Sequence, residues 1–174
     1  MIYGAAVRVE LLQPSTWPVV EPDLAAILVD CVAGGASVGF LSSLTVEQAR
    51  RWWHDALRQP GTLTWAAWLH DGPALGVVQF RPAAFPNAAH RAEVVKLLVH
   101  RGARGRGLAG QLMDHLEAEA RRQGRWLLLL DTQTGSTAER LYARWGWQAV
   151  GIVDEHAADP AGRRQPTTFM AKRL

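Results

Sequence analysis

Cysteine and lysine are nearly missing from this chain. Cys31 is the one cysteine, so no internal disulfide can form. Its apolar neighbours Ile27, Leu28 and Val32 mark it as a small buried hydrophobe rather than a reactive thiol. Lysine occurs twice, and the other seventeen of the nineteen cations are arginine. The net charge of +3 is small for a general nucleic-acid binder, which carries a larger excess. The six histidines show no metal-ligand spacing, and a single cysteine cannot build a zinc site, so no metal is expected. No stretch reaches the roughly 18 apolar residues of a membrane span. The opening segment MIYGAAVRVELLQPSTW lacks a charged region leading into a long apolar run. These absences give the expectation of a cytoplasmic protein with no nucleic-acid and no membrane partner.

What is present is an ordinary globular composition, 48% hydrophobic and 20% charged over 174 residues. That length supports one core, and no repeat, low-complexity tract or linker divides it, so residues 1–174 are expected to form a single domain. Val7–Leu12 reads as a short strand. Leu24, Ile27, Leu28 and Cys31 recur at helical spacing within Pro18–Val32. The loop Gly34-Gly35-Ala36-Ser37-Val38-Gly39-Phe40 ends that helix. Thr45, with Gln48 three residues on, opens a second helix with a capping-box signature and carries it to about Leu57. Leu63–Leu69 and Leu75–Arg81 are strands joined through Asp71-Gly72, a hairpin signal. Ala92–Val99 is a further strand. Leu108, Leu112, Leu116 and Ala120 mark a helix face, and the apolar run Trp126–Leu130 suits a strand covered on both faces. Ser136–Trp145 reads as a helix, and Trp147–Val153 and Thr167–Lys172 as closing strands. Trp52, Trp53, Trp65 and Trp68 are mostly core, with one or two free to wall a pocket.

The most informative stretch is Val94–Ala109, VVKLLVHRGARGRGLA: an apolar strand, a basic glycine-rich turn, then a helix. Glycine lets the backbone approach a ligand closely, and a helix N-terminus aims N–H groups and positive dipole at one point. The natural guest is a pyrophosphate. No Gly-Lys-Ser/Thr follows, and Gly110 falls one position early for a G-x-G-x-x-G dinucleotide fingerprint. Arg101, Arg104 and Arg106 would suit RNA, but no aromatic residues are interleaved with them for base stacking.

The strand Leu97-Leu98-Val99 followed by Arg104-x-x-Gly107-x-Ala109 and a helix resembles the central signature of the GNAT (GCN5-related N-acetyltransferase) superfamily. Leu141-Tyr142-Ala143-Arg144-Trp145-Gly146-Trp147 is similar to that family's later helix end, and the two cover roughly Ala92–Val153. A narrower likeness is to the tabtoxin resistance acetyltransferases within the superfamily. It runs through Gly34–Phe40, Arg91–Val94, Ala103–Leu108, Leu130-Asp131-Thr132 and the tail around Asp159–Arg163. The region before Ala33 and the many tryptophans depart from it.

The resemblance implies an α/β GNAT fold: a single mixed, mostly antiparallel sheet with a central parallel, splayed strand pair, flanked by helices. It implies acetyl-CoA as donor. Main-chain groups of Leu97, Leu98 and Val99 would meet the pantetheine arm. Arg104, Gly105, Arg106, Gly107, Leu108, Ala109 and Gly110 would hold the pyrophosphate. Ser136 is either a helix cap or a cofactor contact. Glu93 and Asp131 are candidates to take the proton of the attacking amine, against readings as a surface carboxylate and a cap. Tyr142 is the candidate acid for the leaving thiolate, against a reading as core. The implied function is acetyl transfer to a primary amine of a small molecule, a tabtoxinine-like or other amino-acid-like toxin. A non-catalytic acyl-CoA-binding module, or transfer to a protein or polyamine amine, stays open, as does oligomeric state.

Overall fold

The structure is a computed structural model that describes residues 7–174. The first six residues, on which the reading of the opening segment partly rests, lie outside the described residues.

Seven strands form one sheet in the order β1-β2-β3-β4-β5-β7-β6. They are β1 (Arg8–Leu11), β2 (Leu63–Trp68), β3 (Gly76–Pro82), β4 (Arg91–Val99), β5 (Leu127–Gln133), β6 (Gln148–Ala158) and β7 (Arg164–Arg173). All neighbouring pairs are antiparallel except β4 and β5, which run parallel. Four helices cover the sheet: α1 (Trp17–Ala33), α2 (Val46–Leu57), α3 (Leu108–Arg122) and α4 (Thr137–Arg144). The mixed, mostly antiparallel sheet expected from the sequence is the one observed.

Each helix begins where the local chemistry supplies a start. Proline at the first turn of α1 loses no hydrogen bond there. At α2 the Thr45 hydroxyl accepts from the Gln48 N–H, and the Gln48 side chain accepts from the Thr45 N–H, which completes a capping box. Ser136 accepts from the Glu139 N–H at 3.1 Å and caps α4. At α3 the cap is Gly107 at φ +83°, with no side chain satisfying the first N–H groups.

The sheet separates two cores. Leu108, Leu112 and Leu116 of α3 meet Val78, Phe80, Val94 and Leu128 on one face. Leu24 and Leu28 of α1 and Trp53 of α2 meet Ala66, Val77 and Leu98 on the other. Fully burying side chains of this size stabilises by about 1.5–3 kcal/mol each. Trp53, Trp65 and Trp68 lie in these cores, and Trp52 is only half-buried.

Three expectations need correction. β5 extends through Asp131 to Gln133, so Asp131 is a strand residue and not a cap. Nor is β5 covered equally on both faces. Leu128 and Leu130 are buried, whereas Leu127 and Leu129 are half-buried, because α1 packs over β3 and β4. β6 and β7 are also longer than read. β7 starts before Thr167 and includes Pro166, which sits where β6 places Asp154, Glu155 and His156 opposite one residue of β7. A proline costs no ladder bond at such an irregularity.

Replacing Thr45 by alanine removes the hydroxyl arm of the α2 capping box and leaves the Gln48 N–H without its side-chain acceptor. Urea unfolding should show a loss of about 1 kcal/mol with an unchanged m-value.

Candidate active site

β4 and β5 are paired only at Arg91–Glu93 with Leu127–Leu129. Beyond that point each strand keeps its outer neighbour. β4 stays paired with β3 up to Val99, and β5 with β7 along its whole length. The six residues Val94–Val99 therefore run past β5 with no strand partner on that side. A backbone edge in such a place calls for a hydrogen-bonding guest.

A bulge lies in the same stretch. Val95 pairs with Gln79 and Leu98 with Val77, so Lys96 and Leu97 together oppose Val78. Lys96 takes φ +55°, a conformation uncommon for a side chain with a Cβ. Before the bulge Ala92 and Val94 point into the α3 core. After it Leu98 points into the α1–α2 core.

The turn after β4 has the geometry of an anion cradle. Gly105 and Gly107 have φ of +76° and +83°. Among the described residues, no backbone N–H from Gly105 to Gly110 donates to a protein acceptor; the first bond of this run is Gln111 N–H to the Gly107 carbonyl at 3.2 Å. The first turn of α3 holds no acidic residue to compete for the N–H groups. The Arg104 guanidinium is not directed into the cradle. Its Nε donates to the Val99 carbonyl at 3.3 Å, an oxygen that also accepts from the Cys31 thiol at 3.4 Å.

Glu93 alternates with the buried Ala92 and Val94, and Asp131 with the buried Leu130, which places both carboxylates on the α1–α2 side of the sheet. Glu93 stands at the last paired position, and Asp131 two residues beyond the matching Leu129. No hydrogen bond joins them among the described residues. Glu93 has Arg91 Nη1 at 3.8 Å. Asp131 bears electrostatically on both Lys96 and Tyr142.

Tyr142 is 8% exposed, with Trp145 and Trp147 ring centroids at 6.0 and 5.7 Å in edge-on packing. Burial, and then the negative charge of Asp131, raises its pKa far above that of a free phenol. The hydroxyl is protonated at neutral pH, as an unperturbed phenol also is. The core reading and the acid reading of Tyr142 are compatible, since the ring packs while the hydroxyl holds a proton. Ser136 is occupied as a cap, and its hydroxyl is 3.5 Å from that of Thr132.

Lys96 sits in the bulge of β4. In the structure its Nζ donates to the Val38 carbonyl at 2.8 Å and lies over the rings of Trp52 and Phe40 at 5.0 and 5.6 Å. Burial, followed by the nearby Arg81, lowers its pKa. The lysine thus ties the loop between α1 and α2 to the bulge. That loop is also held to the turn between β6 and β7, through Ser37 Oγ to the Ala158 carbonyl at 3.3 Å and Ser42 N–H to the Pro160 carbonyl at 2.8 Å. A hollow of about 390 Å³ lies between them, lined in part by Gly35, Ser42, Gln133, Asp159 and Gln165. The Asp159 carboxylate fixes the turn by accepting from Ala161, Arg163 and Gln165. Sequence spacing does not show the contacts of Lys96, Ser37 and Ser42, because each joins distant segments. A positive-φ lysine within a bulge has no local sequence signal.

A parted parallel strand pair beside an open glycine cradle is a family-level arrangement, and residues 25–147 match the model of the Acetyltransferase (GNAT) family. The chain belongs to the GNAT acetyltransferase family. A GCN5-related N-acetyltransferase from Kribbella flavida is 26% identical and superposes with a TM-score of 0.77, covering 97% of this chain and 98% of that one. The ribosomal-protein-alanine N-acetyltransferase from Brucella melitensis is 23% identical with a TM-score of 0.76, over 96% and 99% of the two chains. The yncA protein of Salmonella typhimurium, solved with its cofactor acetyl-CoA, is 19% identical with a TM-score of 0.75, over 97% and 94%. These likenesses establish the GNAT fold for this chain, and general acetyl transfer comes with the family. Among the described residues no cluster of three or more His, Cys, Asp or Glu could hold a metal ion. No described helix is long and apolar enough to cross a membrane.

The Lys96 tie makes a local prediction. In Lys96→Met the amides of residues 36–40 should exchange with solvent at least several-fold faster, while those of β3 and β4 away from the bulge keep their protection. Hydrogen exchange with mass spectrometry reads both regions at once.

Proposed function

We propose that this protein transfers an acetyl group from acetyl-CoA to the primary amine of a small amino-acid-like molecule, the class that includes tabtoxinine-like toxins, in a ternary complex. The observation that carries the cofactor assignment is the run of unpartnered N–H groups from Gly105 to Gly110, at the start of α3 and next to the freed edge of β4. That run fits a pyrophosphate in charge and in close backbone approach. The acetyl-CoA thioester supplies the activated acetyl group.

The roles of this chain's residues then follow. The cradle from Gly105 through Arg106, Gly107, Leu108, Ala109 and Gly110 holds the pyrophosphate, with Arg104 adding charge at its rim. Main-chain groups of Leu97, Leu98 and Val99 orient the pantetheine arm. The Val99 carbonyl is already shared by Cys31 and Arg104, so Leu97 and Leu98 carry more of that contact. Ser136 acts first as a cap, with its Thr132-facing hydroxyl at the cofactor side. Glu93 and Asp131 hold the incoming ammonium and take its proton. No direct bond links them, so the proton passes between them through water. The Tyr142 hydroxyl, which carries its proton at neutral pH, donates it to the leaving sulfur.

The amino-acid-like acceptor is supported by the charges on the open face of the sheet. Glu93 and Asp131 suit an ammonium, while Arg81, paired across the ladder from Glu93, suits a carboxylate. Lys96 contributes less, because the Val38 carbonyl and two rings already engage its ammonium.

Two variants test this reading. Gly107→Ala meets no heavy atom within 4 Å of its new Cβ and suffers only the strain of φ +83°. It should bind acetyl-CoA with a moderate loss. Gly107→Asp adds negative charge at the cradle and should abolish binding in calorimetry. Equal affinity of Gly107→Asp and wild type would reject the site. Tyr142→Phe keeps the ring packing and should lower turnover roughly 10²–10⁴-fold at unchanged acetyl-CoA affinity. The assay is thiol release against a library of amines, in which amino acids and their analogues should outpace polyamines and peptides. Full turnover by Tyr142→Phe would leave protonation of the sulfur to water.

A further inference from the structure

We propose that Asp30, in the last turn of α1, is a positioning residue that sets the pyrophosphate cradle in place from outside it. The inference rests on the reading that Gly105–Gly110 holds a pyrophosphate.

An aspartate near the C-terminal end of a 17-residue helix is locally unfavourable, since the dipole there is negative. Its place must be justified by a contact elsewhere. The Asp30 carboxylate spans to the turn after β4. One oxygen accepts from the Arg101 main-chain N–H at 2.7 Å, and the other accepts from Arg101 Nε at 2.9 Å. His100 Nε2 lies 3.6 Å from the same carboxylate. The Asp30 side chain is 15% exposed, so these contacts are largely shielded from water. Burial alone would raise the Asp30 pKa, but the two Arg101 hydrogen bonds and the charges of His100 and Arg101 outweigh it and lower the value. The carboxylate is therefore ionised at neutral pH.

Two neighbours in the same helix end act on the same turn. The Cys31 thiol donates to the Val99 carbonyl, which also accepts from Arg104. Gly34 lies against Arg101 so closely that a Cβ there would fall 2.6 Å from Arg101 Cδ. Residues 30, 31 and 34 thus touch residues 99, 101 and 104, which are the chain leading into the cradle. The cradle itself is thinly supported. Gly105 and Gly107 have nothing within 4 Å of where a Cβ would stand, and the N–H groups from Gly105 to Gly110 make no protein bonds among the described residues. Its location is inherited from the turn at Arg101–Arg104, and Asp30 is the charged group that fixes that turn. Asp30 itself touches neither the cradle N–H groups nor the carboxylates Glu93 and Asp131.

The test compares two probes, coenzyme A and pantetheine, which share the arm; pantetheine lacks the pyrophosphate and the 3′-phosphoadenosine it carries. Wild type should bind coenzyme A far more tightly than pantetheine. Asp30→Ala should weaken coenzyme A about tenfold, in keeping with loss of charged hydrogen bonds, and leave pantetheine unchanged. Asp30→Asn keeps an oxygen for the Arg101 N–H and loses the charge, so it should fall between the two. It also serves if the alanine variant does not fold. Calorimetry gives the coenzyme A affinities, and competition gives those of pantetheine. Equal weakening of both probes would assign Asp30 to general structural support and overturn the proposal, as would no weakening of either. Equal binding of both probes by wild type would instead defeat the pyrophosphate reading on which the proposal stands.

Discussion

The parting of β4 from β5 is the constraint on which the rest of this molecule depends. Main-chain donors and acceptors removed from a ladder must be paired or solvated. Here the pairing stops after three residues, yet neither strand is free to close the gap. β3 holds β4 to its end, and β7 holds β5 along all of its length. The notch is therefore built by the outer strands and does not depend on a ligand to stay open. It also explains why α3 begins where it does. The helix that crosses from β4 to β5 opens directly beside the unpartnered edge of β4, so the freed strand edge and the N–H groups of the helix face one region.

Recognition and support are divided between different parts of the chain. The cradle is built from glycine and open backbone, which lets a charged ligand approach but leaves little to fix its own position. Fixing falls to side chains outside it. Asp30, Cys31 and Gly34 at the end of α1 take hold of the turn leading into the cradle, and α1 is itself anchored by the core it shares with α2 and the sheet. The same division appears around the two strand carboxylates. Glu93 and Asp131 stand on rigid strands, while the loop around Val38 is fastened by Lys96 from the bulge and by the turn between β6 and β7.

A GNAT fold hosts many acceptors, so substrate choice belongs to the side chains on the open face and to those fastened loops. The bulge in β4 matters for this reason. By shifting the alternation it sends Lys96 toward Phe40 and Trp52 instead of into the α3 core. Glu93, Asp131 and Arg81 are left as the charged groups on that face.

Much of the architecture was legible in the sequence, because it rests on short-range rules. The capping box at Thr45 and Gln48, the α3 face at Leu108, Leu112 and Leu116, and the strand-glycine-helix turn each depend on residues within a few positions of one another. Local pattern was also enough to place an open glycine turn at Gly105–Gly110 before α3. The misjudged elements were those where tertiary packing overrides the local signal. β5 runs on through Asp131 because β7 pairs with it, and β7 runs through Pro166 because an irregularity in β6 removes the need for that N–H. The sequence by itself determined the elements, the glycine turn and the family. Only the tertiary structure decided that β4 and β5 part after three pairs, and that Asp30 and Lys96 fasten the segments on either side of that gap. Each of these comes from groups thirty or more residues apart brought within hydrogen-bonding or electrostatic range, a distance at which periodicity and propensity carry no information.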